Sequence, residues 1–129
     1  MKIDELRIGN YVNIEGDVVK VKEIYEKSIH YANGEYESYA TEDFMQPIEL
    51  TEEVLLKIGF VKENEVNRMY NNRCVVSYYI NKFYKELVIE ARRENGFYKN
   101  NMVHYDIKYL HELQNTYYLL TGEELEVEL

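Results

Sequence analysis

The stretch at residues 106–122, DIKYLHELQNTYYLLTG, decides how the rest of the chain is read. Ile107, Leu110, Leu113, Tyr117 and Leu120 recur at spacings of three and four, which places them on one face of a helix. Lys108, His111, Glu112 and Asn115 make the other face polar. Asp106 is the expected N-cap, and Gly122 is free to turn left-handed after the last turn. The pattern predicts an amphipathic helix from Asp106 to Thr121. With no second helix of that length to form a bundle, it must lie on a sheet.

Leu6 to Val12 leads into a strand that turns at Glu15-Gly16-Asp17 and returns through Val18 to Ile24. Ser28 to Ala32 meets Asn33-Gly34, a strong hairpin signal, and Glu35 to Tyr39 returns with polar and aromatic residues alternating. A single turn is expected at Thr41 to Phe44, then an edge strand at Gln46-Pro47-Ile48. Thr51 caps a short helix, with Leu50 and Leu55 placed as a hydrophobic staple and Gly59 closing it. Lys62 to Asn67 reads as a polar loop. Arg68 to Tyr70 and Arg73 to Ile80 form a hairpin about Asn71-Asn72. Lys85 to Ala91 pairs next, with Leu87 and Ile89 on one face and Glu86, Val88 and Glu90 on the other. Asn95-Gly96 and Asn100-Asn101 mark turns, and Met102 to Tyr105 a last short strand. The tail alternates Leu125, Val127 and Leu129 with glutamates, the pattern of a terminal edge strand.

The predicted fold class is α+β. Residues 1–50 form a small β-barrel, and residues 51–129 hold the short helix, an antiparallel sheet and the long helix, joined with the first part as one compact unit.

The chain has 129 residues, a formal charge of -9, 14 tyrosines and no tryptophan. Residues 1–66 carry 15 acids against 7 bases, whereas residues 67–129 carry 9 against 8. That imbalance argues against non-specific nucleic-acid binding, because the overall field repels phosphate. One cysteine, Cys74, excludes an internal disulfide and fits a reducing compartment. The absence of a leader-like opening or a long apolar run leads to the expectation of a soluble, cytoplasmic protein.

The segments Leu6-Arg-Ile-Gly-Asn-Tyr-Val12, Leu50-Thr-Glu-Glu-Val-Leu-Leu-Lys-Ile-Gly-Phe60, Leu110-His-Glu-Leu-Gln-Asn115 and Leu120-Thr-Gly-Glu-Glu-Leu125 are similar to a family of short, uncharacterised proteins of Bacteroidetes genomes and their phages. The strand and turn pattern of residues 6–50 also resembles an SH3-like small barrel. The first resemblance implies a cytoplasmic accessory protein, and it assigns no functional residue. The second implies a fold that does not fix function.

Catalytic signatures are missing. His30, His104 and His111 have no zincin spacing, and His111, on the polar helix face, reads as a surface side chain. Cys74 reads as a buried, inert thiol. Glu35 with Glu37 is explained by a hairpin's outer face, and Glu52 with Glu53 by a helix start. No phosphate loop or nucleophile elbow is present. The tyrosines remain. Tyr78-Tyr79 and Tyr117-Tyr118 cannot each put both rings inside, so rings reach the surface.

The expectation is a non-enzymatic protein-binding or adaptor module without cofactor or metal. Tyr78, Tyr84, Tyr98, Arg92 and Arg93 are the candidate contact residues; these would also suit single-stranded nucleic acid, which the net charge disfavours. The alternative is an acidic inhibitor that imitates the charge of DNA. A small enzyme comes third.

Overall fold

The structure is a computed structural model that describes residues 1–63, 68–70, 73–84, 86–92, 96–99 and 105–129. Side chains are described for all of these except 68–70, 73–78, 92, 96–99 and 105–106.

Two-residue loops set the first sheet. β1 (Tyr11–Ile14) and β2 (Asp17–Ile24) close at the Ile14–Asp17 pair, so Glu15 and Gly16 form the entire loop. Both take positive φ, 51° and 93°, the backbone twist that suits antiparallel strands, and the Gly16 N–H donates to Asn13 Oδ1 at 2.8 Å. β3 (Ser28–Asn33) and β4 (Tyr36–Thr41) close at Asn33–Tyr36. This second hairpin turns at Gly34-Glu35, one residue later than Asn33-Gly34. Gly34 has φ 63°, while Asn33 stays in the strand. A 3-10 turn at Glu42–Phe44 leads to β5 (Met45–Gln46), which pairs with β1. It ends before Pro47 instead of running through it, since proline has no N–H to give the ladder.

The order is β4-β3-β2-β1-β5, all antiparallel. Val12, Ile14, Val19, Val21, Ile29, Ala40 and Met45 line one face, and Ile3 from an N-terminal 3-10 turn completes that core.

Between the sheets, the Thr51 hydroxyl accepts the Val54 N–H at 3.2 Å and starts α1 (Glu52–Lys57). Leu50 and Leu55 are both buried in the second core, as a staple requires, and Gly59 leaves the helix with φ 97°. β6 (Phe60–Lys62) follows directly, where the sequence suggests a loop from Lys62 onward. The second sheet adds β7 (Arg68–Tyr70), β8 (Arg73–Asn81), β9 (Val88–Arg92), β10 (Gly96–Lys99) and β11 (Tyr105–Asp106). Its order is β11-β10-β9-β8-β6, with β7 also on β8. Tyr79 and Ile80 pair with both β6 and β9, and Val75 with both β7 and β9, so β6 and β7 share the β8 edge away from β9. The expected turns at Asn71-Asn72, Asn95 and Asn100-Asn101 lie outside the described residues, as do 102–104.

Leu87 and Ile89 are buried as their alternation implies. Glu90 is not on a solvated face. It is fully buried, and in register it stands between Tyr78 on β8 and Tyr98 on β10.

α2 (Leu110–Thr121) covers this sheet through Leu110, Leu113 and Tyr117. It begins one turn later than expected, because Asp106 belongs to β11. The actual start is held by other groups. Glu112 accepts the Lys108 and Tyr109 N–H groups at 3.1 and 3.0 Å, and the Leu110 N–H donates to the Ile48 carbonyl at 2.8 Å. Gly122, φ 74°, ends the helix as expected. The protein is thus mixed α+β.

The tail after Gly122 is not a strand. Leu125 is nonetheless buried in the second core and Val127 packs against it, so the alternation marks anchoring side chains without a ladder. No helix among the described residues is long and apolar enough to cross a membrane.

His111 overturns the expectation of a surface residue, being only 2% exposed with its ring stacked on Tyr109 at 5.8 Å. Its Nδ1 is buried and has no hydrogen-bond partner among the described residues. Burial lowers its pKa below the ordinary histidine value and outweighs the opposing pull of Glu112 and Glu5. The fold therefore favours neutral imidazole, while the unfolded chain takes up a proton near pH ~6.5. Stability from this residue is complete above that pH and is lost as pH falls through it. Urea midpoints at pH 8 and 5.5 are expected to differ more for the native chain than for His111→Gln; equal differences would refute this.

Candidate interaction surface

β2, β3 and β4 present a cluster of rings and carboxylates on the face opposite their core. A bulge creates it. Val21 pairs with Tyr31, but the next pair is Glu23 with His30, so Lys22 is the extra residue. Without the bulge Lys22 would stand opposite His30; with it, a glutamate does. His30 in turn pairs with Tyr39 on β4.

The contacts are short. His30 Nδ1 lies 3.1 Å from Glu23 Oε1, and the Tyr25 hydroxyl donates to Glu23 Oε2 at 2.8 Å. On the far side, His30 Nε2 is 3.7 Å from Glu37. The Tyr39 ring stacks on His30 with centroids 4.9 Å apart, and the Tyr25 ring lies 6.1 Å from Tyr39, tilted by 39°. Both rings face solvent, Tyr39 at 63% exposure and Tyr25 at 43%.

The hydrogen bond from Tyr25, followed by the one with His30, holds the Glu23 carboxyl below the usual carboxylate range. The same bond pushes the Tyr25 phenol up to about 12. At neutral pH the Tyr25 phenol therefore keeps its proton while the Glu23 carboxyl beside it is ionised.

A hollow of about 510 Å³ adjoins Tyr25, lined also by Ile3, Leu6 and Ile24. Its charged lining is Asp4, Glu26 and Glu42 against Lys2 alone. Glu42 is partly committed, accepting the Ile3 N–H at 2.8 Å.

A larger groove, about 580 Å³, runs between the tail and β1–β2. Here Lys20 and Lys22 meet Glu124, Glu126 and Glu128, so the walls neutralise each other. Glu124 is further tied down by a forked pair with Arg7, one arm at 2.9 Å, and the Arg7 guanidinium stacks 4.1 Å over the Tyr118 ring. This groove lacks the exposed rings of the first surface, and its acids and bases are nearly balanced.

Of the residues named from sequence, Tyr84 is half-buried and donates to Glu86 at 2.7 Å. Tyr78, Arg92 and Tyr98 are placed on β8, β9 and β10, with their side chains outside the described set, as is that of Cys74. Arg93 and His104 lie outside the described residues altogether. The ring cluster on the first sheet uses Tyr25 and Tyr39 instead. Its available signal was the alternation Glu35 to Tyr39, which puts Glu37 and Tyr39 on one side.

Among the described residues, no group of three or more histidine, cysteine, aspartate or glutamate side chains is arranged to hold a metal ion. No protein-family model matches the chain, and neither a curated protein nor a solved structure matches it.

Proposed function

We propose that the chain is a non-enzymatic binding module that engages a partner protein through the Tyr25–Tyr39 face of its first sheet. The observation that carries this reading is the pair of solvent-facing rings bordered by Glu23 and Glu37. Exposed tyrosines supply large contact area with few rotatable bonds, and ordered carboxylates at their edge supply orientation. The strand order β4-β3-β2-β1-β5, with one 3-10 turn before the last strand, supports reading this sheet as an SH3-like barrel. The likeness to short Bacteroidetes and phage proteins supports an accessory role in a mobile element.

The test is capture from a native lysate of the source cells by the native chain and by Tyr25→Ala/Tyr39→Ala, with circular dichroism confirming that both are folded. A protein retained by the first and lost by the second is expected. Equal retention by both would refute the assignment of this face.

An acidic inhibitor that imitates DNA is the second reading, favoured by the carboxylates Asp4, Glu26 and Glu42 around the hollow. It requires a captured DNA-binding protein that is released by salt, is lost on neutralising those acids, and is indifferent to Tyr39.

A further inference from the structure

We infer that the occupant of the Tyr25–Tyr39 face is the guanidinium group of an arginine carried on a basic segment of the partner. This rests on the reading of that face as a protein-binding surface and gives its chemistry. A cation within about 6 Å of a tyrosine centroid is attracted by the ring's negative face. His30 stacks on Tyr39, yet Tyr39 keeps 63% of its surface open and its neighbour Tyr25 keeps 43%, so both rings retain area for a ligand. Glu23 and Glu37 stand at the edge of this space with no lysine or arginine among their described ion-pair partners. The hollow beside Tyr25 continues the same sign of charge, with three carboxylates against one lysine, so neighbouring basic residues of the segment are also accommodated.

Arginine suits the geometry better than lysine. Its planar fork lies flat on a ring and bonds a carboxylate at its edge at the same time, which a spherical ammonium cannot do. The chain contains this arrangement within itself: Arg7 lies over Tyr118 while its fork holds Glu124. Nucleic acid is the wrong partner for a face bordered by the carboxylates of Glu23 and Glu37.

The experiment titrates the ¹⁵N-labelled full chain with capped hexa-arginine, capped hexa-lysine and a 20-nucleotide single strand of DNA, at matched ionic strength. Hexa-arginine is expected to shift the amide signals around Glu23, Tyr25, His30 and Tyr39, and to bind about threefold to tenfold more tightly than hexa-lysine. Tyr39→Ala should weaken it by a similar factor, Tyr39→Phe should leave it nearly unchanged, and Glu23→Gln should weaken it with the fold intact.

Equal affinity for the two peptides, shifts centred on another surface, binding insensitive to Tyr39→Ala and Glu23→Gln, or tighter binding of the DNA would each overturn the inference. Should neither peptide bind while Tyr25→Ala/Tyr39→Ala still loses a captured protein, the arginine assignment falls and the binding-face reading stands.

Discussion

Replacing Gln114 with leucine is expected to cost about 2–4 kcal/mol of folding stability, although the substitution is close in size and more apolar. Gln114 is 1% exposed and joins the two halves of the chain. Its Nε2 donates to the Gly9 carbonyl at 3.1 Å, and its Oε1 accepts the Tyr11 N–H at 2.9 Å. Leucine satisfies neither, so a half-buried donor and a half-buried acceptor lose their partner together, at about 1–3 kcal/mol each. Asn10 cannot take over. Its Oδ1 already accepts the Arg7 N–H and its Nδ2 donates to Asn115, both at 2.8 Å.

Urea denaturation measures the loss directly. A change below about 1 kcal/mol would mean that water reaches this seam and replaces the side chain. Because Asn10 and Gln114 hold neighbouring positions of the same seam, residues 9–11 against 114–115, the cycle with Asn10→Ala should be non-additive.

The same seam explains which features the sequence revealed. Both hairpins of the first sheet were legible, since alternation and turn residues act within a few positions. Thr51 and Gly122 were legible for the same reason: a cap is decided by its own turn. The seam is formed by residues whose partners are more than a hundred positions away, and nothing in local periodicity reports it. Local periodicity therefore carries no sign of the Gln114 contacts and places His111 on the polar face. A helix packed on two sides buries more of its circumference than an apolar stripe predicts.

The start of α2 failed differently. Asp106 has the right chemistry for a cap, but β10 recruits it as a strand partner for Tyr98, and Glu112 from inside the helix serves the open N–H groups. The tail also misled, because period-two alternation reports which side chains are buried and not whether a neighbouring strand exists.

The candidate surface was only partly visible. Aromatic surplus and acidic charge are properties of composition, and both pointed toward contact with another macromolecule. Placing Glu23 opposite His30 depends on one extra residue at Lys22. The alternation of β2 alone would have paired a lysine there and reversed the local charge.

The largest single effect is expected at Leu113, and its value lies in a comparison. Sequence periodicity ranks Leu113 and Leu120 equally, seven residues apart on one apolar stripe. The structure separates them. Leu113 is fully buried in the second core with Leu110 and Tyr117, while Leu120 is 36% exposed and its neighbour Leu119 is 83% exposed. The helix runs past the edge of what it covers, so its last turn has little left to pack against.

Leu113→Ala should cost about 3–5 kcal/mol, since the close-packed surroundings relax only partly into the space left behind. Leu120→Ala should cost less than about 1 kcal/mol. Both are read from urea midpoints at one pH above 7, where His111 is neutral in either state. Comparable losses at the two positions would show that the end of α2 is covered in solution by a second molecule. A small loss at Leu113 would contradict the packing of α2 on the second sheet.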